Sequence, residues 1–414
     1  MSEEVKGYEK LNLRGAIGFN GTVDNCLQIH PDRQNYIYAL GSAVVIEDII
    51  SHQQSLLQGH SNSIVCLAVS RDGCYLASGQ ITHMGYKADI ILWDYAEKKE
   101  ITRFISHSVK VQALAFSPNA KYLVSIGGQD DGSVILWSVE NLAAICGSSA
   151  QFNNAGITRC ITYSNNNENM FFTGGDSILR IWQADIQNRK IHPTDCSLRQ
   201  YKRTITKVLA DRNDEMLYCA TTSGDILAVR IGSAIVQLVF PDRDKYSLGV
   251  TSLRFLDDTS LIIGTGEGWD DSCIRGFFPE TGRLMYTVNE AHKKGVTAVA
   301  AMDGGSRIIS GGGEGQVRVW EVKEIPATCK KKIAAHRHRS HRCQGDRRGN
   351  EEDDRPKFFV DLLATLKEHT NAVSCIQINK NGTKCVSSSA DGTCIIWNLV
   401  QVNRVIYIYI YIYT

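Results

Sequence analysis

Two sets of side chains in the sequence have the residue types of a serine hydrolase. One set is His107, Ser125 and Asp131, and the other is His369, Ser387 and Asp391. In such an enzyme a histidine takes the serine proton and an aspartate orients the histidine. Here the set recurs along the chain, which a single active site does not require, and no Gly-x-Ser-x-Gly turn exposes a serine. We therefore predict a protein without catalytic residues.

A tryptophan follows each set, within a run of alternating aliphatic residues. The stretches DGSVILWSV (131–139) and DGTCIIWNL (391–399) are the clearest copies. The equivalent positions along the chain are Ile46, Trp93, Trp137, Trp182, Val229, Phe277, Trp320 and Trp397. The first seven are separated by 43 to 48 residues. The last interval is 77 residues, which equals one period and an insertion of about 30 residues.

The segments between these positions are typical of short strands joined by tight turns. Turns rich in Asp, Asn and Gly, such as SRDGCY (70–75), tolerate left-handed backbone or bond to their own backbone. They alternate with β-branched runs such as IVCLAVS (64–70), which have the length of an ordinary strand. A period in the mid-forties predicts an all-β propeller with four short strands in each blade.

The pattern resembles that of the WD-repeat family. The resemblance implies a structural network that joins a loop His, a second-strand Ser or Thr, a turn Asp and the Trp. It implies this network for His107, Ser125, Asp131 and Trp137, and for His369, Ser387, Asp391 and Trp397, with Trp93, Trp182 and Trp320 at the same position in other blades and His60 and His292 at the loop position. An unpaired buried polar group costs about 1–3 kcal/mol, so we expect the network to be satisfied.

The count of repeats predicts the domain organisation. Seven positions indicate one closed seven-bladed ring within residues 1–325, with residues 11–21 as a candidate outer strand of the seventh blade. Residues 326–358 fit no blade and are expected to be a charged, disordered linker. Residues 359–400 predict one additional, orphan blade, the start of a truncated second propeller. An eight-bladed ring is the alternative.

The linker and the tail each have a functional alternative. In the linker a basic block precedes an acidic one, which would suit a tether to nucleic acid or to an acidic partner. His336, His338, His341 and Cys343 suggest a metal cluster, but their spacing lacks the paired ligands of a zinc finger. The aberrant tail at 401–414 contains IYIYIYIY, which an alternating A/T repeat in DNA encodes. We interpret it as read-through, and the alternative is an outer strand of blade eight.

Composition excludes several classes of protein. The net charge of +1 gives no global field toward nucleic acid or acidic lipid. The N-terminus MSEEVKGYEK lacks the basic and apolar regions of a secretory signal, and no apolar run approaches the length of a membrane span. The 13 cysteines are therefore expected to be mostly reduced and buried. We predict no cofactor, no metal, no small-molecule substrate, no nucleic acid and no membrane as partner.

A narrower resemblance rests on longer phrases. The stretches LQGHSNSIVCLAVSRDGCYLASGQ (57–80), GYKADIILWDY (85–95) and FSPNAKYLVSIGGQDDGSVILW (116–137) are similar to the cilia- and flagella-associated WD-repeat family. That family has two consecutive seven-bladed propellers in the lumen of ciliary doublet microtubules.

The narrower resemblance implies a non-enzymatic scaffold of motile cilia and flagella, in the cytoplasm at the axoneme, with tubulin and other axonemal proteins as partners. Two alternatives remain open. One is a cytosolic adaptor such as a ubiquitin-ligase substrate receptor. The other is an RNA-associated propeller that uses the basic block at 330–348.

Overall fold

The computed structural model describes residues 27–150, 156–241, 249–257, 260–266, 272–302, 306–324, 358–379, 382–402, 405–407 and 410–413. Strands and turns form all regular structure in these ranges, and they contain no helix. Eight antiparallel sheets have four strands each, and one hairpin has two. The predicted all-β propeller is confirmed, with eight blades.

Blades are numbered along the chain, and in blades 1 to 7 the four strands follow one another in sequence. Blades 1 to 4 contain β1 (Leu27–Ile29), β2 (Asn35–Leu40), β3 (Ala43–Asp48) and β4 (Gln54–Gln58); β5 (Ile64–Val69), β6 (Tyr75–Gln80), β7 (Lys87–Asp94) and β8 (Lys99–Ser108); β9 (Val111–Phe116), β10 (Tyr122–Gly127), β11 (Ser133–Ser138) and β12 (Ala143–Ser149); β13 (Thr158–Tyr163), β14 (Met170–Gly175), β15 (Ile178–Asp185) and β16 (Lys190–Asp195).

Blades 5 to 8 follow the same order until the last strand of blade 8. They contain β17 (Ile205–Ala210), β18 (Met216–Thr221), β19 (Ile226–Arg230) and β20 (Ile235–Phe240); β21 (Val250–Asp257), β22 (Ser260–Thr265), β23 (Ile274–Phe278) and β24 (Arg283–Val288); β25 (Val296–Ala301), β26 (Arg307–Gly312), β27 (Val317–Glu324) and β28 (Phe358–Leu366); β29 (Val373–Ile378), β30 (Lys384–Ser389), β31 (Cys394–Asn398) and, after the hairpin β32 (Val400–Val402) and β33 (Val405–Tyr407), β34 (Ile410–Tyr413).

The middle strands of each blade are buried on both faces. In β10, for example, every residue from Leu123 to Gly127 is buried, because neighbouring blades cover both sides of the sheet. This explains why these strands are continuous aliphatic or small-residue runs and do not alternate with polar residues. All eight repeat positions identified in the sequence, from Ile46 to Trp397, lie on the third strand of a blade.

The eight blades form one closed ring. The first strand of each blade contacts the first strand of the next, and β29 of blade 8 contacts β1 of blade 1. An apolar cluster joins Tyr36, Tyr38 and Val45 of blade 1 to Val386 and Ile396 of blade 8. We call this boundary the seam. The first strands therefore surround a central channel.

The division into a seven-bladed ring and an orphan blade is not confirmed. Residues 358–366, expected in the linker and the orphan blade, form the outer strand of blade 7, where β28 pairs with β27. The charged segment therefore interrupts blade 7 between its third and fourth strands. Residues 11–21 lie outside the described residues, and β28 already occupies the position proposed for them. The sequence repeat and the structural blade are therefore offset by one strand. Each repeat begins with the outer strand of one blade and ends with the third strand, which contains the Trp position, of the next blade.

The Ile/Tyr tail contributes a strand to the ring. The backbone of β34 pairs with β31, with Ile410 opposite Trp397 and Tyr413 opposite Cys394. The alternative interpretation of the tail, an outer strand of blade eight, predicted this position. Its origin in a DNA repeat stays a prediction.

The ring has two faces, which carry different loops. Because adjacent strands are antiparallel, the loops that enter the first strand and the loops between the second and third strands lie on one face. We call it the histidine face. The loops between the first and second strands, and between the third and fourth, lie on the opposite face, which we call the turn face.

Candidate functional site

A hydrogen-bonded chain crosses blade 3 near the histidine face. The indole Nε1 of Trp137 donates to Ser125 Oγ at 2.8 Å, and Ser125 Oγ lies 2.6 Å from His107 Nε2. His107 Nδ1 lies 2.6 Å from Asp131 Oδ2. With Ser125 Oγ donating to Nε2, the proton on Nδ1 faces the carboxylate. The structure thus brings the four predicted residues together in one chain from indole to carboxylate.

Blade 8 repeats the chain, with a threonine hydroxyl between the histidine and the acid. Trp397 Nε1 donates to Ser387 Oγ at 2.6 Å, and Ser387 Oγ lies 2.7 Å from His369 Nε2. His369 Nδ1 is 2.7 Å from Thr393 Oγ1 and 3.3 Å from Asp391 Oδ2. Thr393 Oγ1 in turn donates to Asp391 Oδ1 at 2.6 Å. Sequence reasoning missed the threonine, whose hydroxyl accepts a hydrogen bond from the histidine and donates one to the aspartate.

Blade 7 contains the same chain with a glutamate as its acid. Trp320 Nε1 donates to Ser310 Oγ at 2.8 Å, and Ser310 Oγ lies 2.7 Å from His292 Nε2. His292 Nδ1 lies 2.8 Å from Glu314 Oε1. The network therefore tolerates a longer acidic side chain at this turn.

Blades 2 and 4 contain reduced forms of the chain. In blade 2, Trp93 Nε1 donates to Ser78 Oγ at 2.8 Å, and His60 Nδ1 lies 2.9 Å from the amide oxygen of Gln80, which replaces the acid. In blade 4, Trp182 Nε1 donates to the hydroxyl of a threonine in β14 at 2.8 Å. In every blade with a network histidine, that residue precedes the serine by 18 positions. This constant interval could have located Ser78 and Ser310 from the sequence.

The burial of these groups favours a structural role. Ser125, Ser310 and Ser387 are fully buried, and each accepts a hydrogen bond from an indole. A nucleophilic serine must be able to contact its substrate. These hydroxyls instead connect the second and third strands of a blade to the histidine that precedes its first strand, and these partners satisfy them.

The protonation states follow from burial and hydrogen bonding. Burial lowers the pKa values of His60, His292 and His369, because a charged imidazole loses its hydration inside a blade. For Glu314, burial favours the neutral acid, but the hydrogen bond and charge interaction with His292 and the backbone hydrogen bonds together outweigh it and bring the pKa to about 2. The pKa of Asp131 is also lowered, because bonds to His107 and a neighbouring serine outweigh burial.

The sequence predicts two loops as candidate contacts for partners, QITHMGY (80–86) and GEGWDDS (266–272). The first, which is longer than a tight hairpin requires, lies on the histidine face of blade 2. It exposes Met84 and Tyr86, whose relative accessibilities are 79% and 67%. The loop is nevertheless held in place, because Thr82 N donates to Val109 O at 2.6 Å and Val109 N donates to Tyr86 O at 3.1 Å. A large apolar exposure on a fixed loop is typical of a protein interface. The second candidate, GEGWDDS (266–272), lies mostly outside the described residues.

In the described part of the chain no three His, Cys, Asp or Glu residues are grouped so that they could hold a metal ion. The cluster of His336, His338, His341 and Cys343 falls outside the described residues. No helix of the described chain is long and apolar enough to span a membrane.

Comparisons with known proteins agree with this geometry. A model of the WD domain, G-beta repeat, matches residues 51–94, 98–138, 282–321 and 360–398. The C-terminal WD40 domain of Sif2 superposes on 92% of this chain, with a TM-score of 0.66 at 15% sequence identity. The computationally designed Ika8 protein also superposes on 92% of this chain, with a TM-score of 0.65 at 18% sequence identity. The fold and its networks define a WD40 β-propeller.

Sequence relatives identify the family. The chain is 34% identical to the Homo sapiens cilia- and flagella-associated protein 52, over 95% of this chain and 78% of the relative. It is 31% identical to the Chlamydomonas reinhardtii protein of that name, over 96% and 78%. The chain belongs to the cilia- and flagella-associated protein 52 family. These names support the expected localisation to the cilium or flagellum.

The alignment also reveals a difference from these relatives. It spans 516 positions for the human protein, whereas the whole chain here has 414 residues. At least 102 of the aligned positions are therefore present in that relative and absent from this chain.

Proposed function

We propose that this chain is a non-enzymatic structural protein of the ciliary and flagellar axoneme, where its ring binds tubulin and other luminal proteins of the doublet microtubules. The main support for the proposal is the similarity to cilia- and flagella-associated protein 52, which extends over 95% of the chain. Tubulin as a partner comes from the family resemblance.

The contacts of the described residues support a scaffold. The serine, histidine and acidic groups that could do chemistry are paired with one another inside the blades. What the ring offers to a partner is its loops. Among them, the loop with Met84 and Tyr86 on the histidine face combines exposure with a fixed backbone. We propose it as a contact with the axoneme.

Fractionation of ciliated cells that express the tagged chain tests the proposal. We expect the protein to remain with axonemes after a salt wash and to crosslink to tubulin. A protein that is wholly soluble and co-purifies with ubiquitin-ligase subunits would support the adaptor alternative and overturn the proposal.

Two variants test the contact loop separately. The double substitution M84S/Y86S removes the exposed apolar side chains of the loop and should reduce retention on axonemes. The matched control is Ile50→Ser, which removes a side chain that is 74% exposed on the turn face of blade 1. Retention should be unchanged in this control. An equal loss in both variants would contradict a specific role of the loop.

A further inference from the structure

The turn face differs between its two halves. Across blades 1 to 5, side chains link the turns of different blades. These bonds are His30 Nε2 with Gly73 O at 2.8 Å, Arg71 with the backbone and side-chain oxygens of Asn165 at 2.8 and 2.7 Å, Asn119 N to Glu168 Oε1 at 2.6 Å, and Ser164 Oγ to Asp214 Oδ2 at 2.7 Å. This half is therefore closed by a continuous set of polar contacts.

A cavity of about 370 Å³ lies in the other half of the turn face. Its walls come from blades 6, 7, 8 and 1, at the ends of the first strands, so it lies at the mouth of the central channel. The lining includes Arg33, Arg254, Phe255, Met302, Gln377 and Asn379. Its volume falls in the range of pockets that hold small ligands or peptide side chains.

The chemistry of the lining favours an anionic ligand. Arg33 and Arg254 enter from blades 1 and 6, and none of the described lining residues is acidic. Arg254 is exposed and forms no hydrogen bond or ion pair with the described part of the chain. A guanidinium that no described residue engages, beside amide groups, can bind a carboxylate through two hydrogen bonds.

The apolar part of the lining indicates a peptide. Phe255 and Met302 lie beside the arginines and can pack against aliphatic side chains. We propose that this cavity binds an acidic segment of a partner protein, with its carboxylates on Arg254 and Arg33 and its apolar side chains on Phe255 and Met302. This proposal is independent of tubulin binding.

The acidic run of this chain, 351–354, is a second possible source of carboxylates. In sequence it is flanked by Arg347, Arg348 and Arg355, which can neutralise it locally. We therefore assign the cavity to a segment from another protein.

Fluorescence anisotropy with the full-length chain at low salt tests this assignment. The probe is a labelled peptide of alternating Glu and Leu, and the matched control replaces each Glu by Gln. We expect saturable binding of the acidic peptide, about a hundredfold tighter than the control, since carboxylates bind two arginines and each such bond contributes about one factor of ten. Arg254→Gln and Arg33→Gln should each weaken it by about tenfold.

The control variant is Arg212→Gln, which removes an exposed arginine from the turn face of blade 5, outside the cavity. Binding should be unchanged in this variant. Equal binding of the two peptides, or an equal loss in Arg212→Gln and Arg254→Gln, would overturn the proposal. Binding that occurs only after E351Q, E352Q, D353N and D354N are combined would also overturn it, because the chain's own acidic run would then be the occupant. Thermal unfolding of each variant verifies that the ring is intact.

Discussion

Truncation of one side chain at the seam tests whether blade 8 belongs to the ring. Ile396 is buried in the third strand of blade 8 and packs against Tyr36 and Tyr38 of blade 1. Leu136 has the equivalent position in blade 3, directly before the tryptophan, and packs against Phe171 of blade 4. The two positions differ in one respect, because blades 3 and 4 are consecutive in the chain whereas blades 8 and 1 are not.

The expected magnitude is the same at both positions. Ile→Ala and Leu→Ala each remove three buried carbons at about 0.8 kcal/mol per carbon, or about 2.4 kcal/mol. The cavity that remains raises the cost to about 2–5 kcal/mol. If the ring is one cooperative unit, Ile396→Ala and Leu136→Ala should lower the free energy of unfolding by similar amounts.

Urea unfolding followed by tryptophan fluorescence measures this effect, since tryptophans lie in blade 8 and in blades 2, 3, 4 and 7 of the ring. We expect one transition in each variant, with its midpoint shifted to lower urea. The reasoning fails if Leu136→Ala shifts the transition and Ile396→Ala does not. It fails equally if Ile396→Ala produces an early transition of blade 8 alone, which is the behaviour of an orphan blade.

Three further predictions concern the interior of the blades. Ser310→Ala should lower the free energy of unfolding by at least about 2 kcal/mol, measured in urea, because it leaves Trp320 Nε1 and His292 Nε2 without their partner. Burial lowers the pKa of His292 below its usual 6.5, so the unfolded chain binds the proton first as pH falls. The thermal midpoint should therefore drop between about pH 7.5 and about pH 5.5, and less so in His292→Gln. Burial raises the pKa of Cys66 to about 12, so mass spectrometry after alkylation of the native protein should find exposed Cys74 modified and Cys66 unmodified.

The sequence was informative about local structure. The Trp positions could be predicted to share one strand because the signal is local, an acidic turn followed by alternating aliphatic residues. All of them, from Ile46 to Trp397, occupy the third strand. The number of blades in the ring could not be predicted this way, because closure depends on whether blade 8 packs against blade 1, and the residues concerned are more than 300 positions apart.

The networks show a second limit of sequence reasoning. The acceptor for the histidine Nδ1 proton is a carboxylate in blade 3, an amide oxygen in blade 2 and a hydroxyl in blade 8. Any oxygen at the right distance satisfies the bond, so a search for Asp alone misses Gln80 and Thr393. The cavity was not predictable either, because its lining comes from four blades that are far apart in the sequence.

The seam also determines what the Ile/Tyr tail contributes. Every other boundary between blades is bridged by the chain, whereas the seam relies on side-chain packing and a few bonds such as Lys384 Nζ to Ile49 O at 3.1 Å. Blade 8 must therefore be a complete sheet to present a firm surface to blade 1. Its outer strand forms through backbone pairing between β34 and β31, which requires β-propensity and little else from the sequence. An Ile/Tyr repeat meets that requirement whatever its origin, so a segment that resembles an accident in sequence can still complete the last blade of the ring.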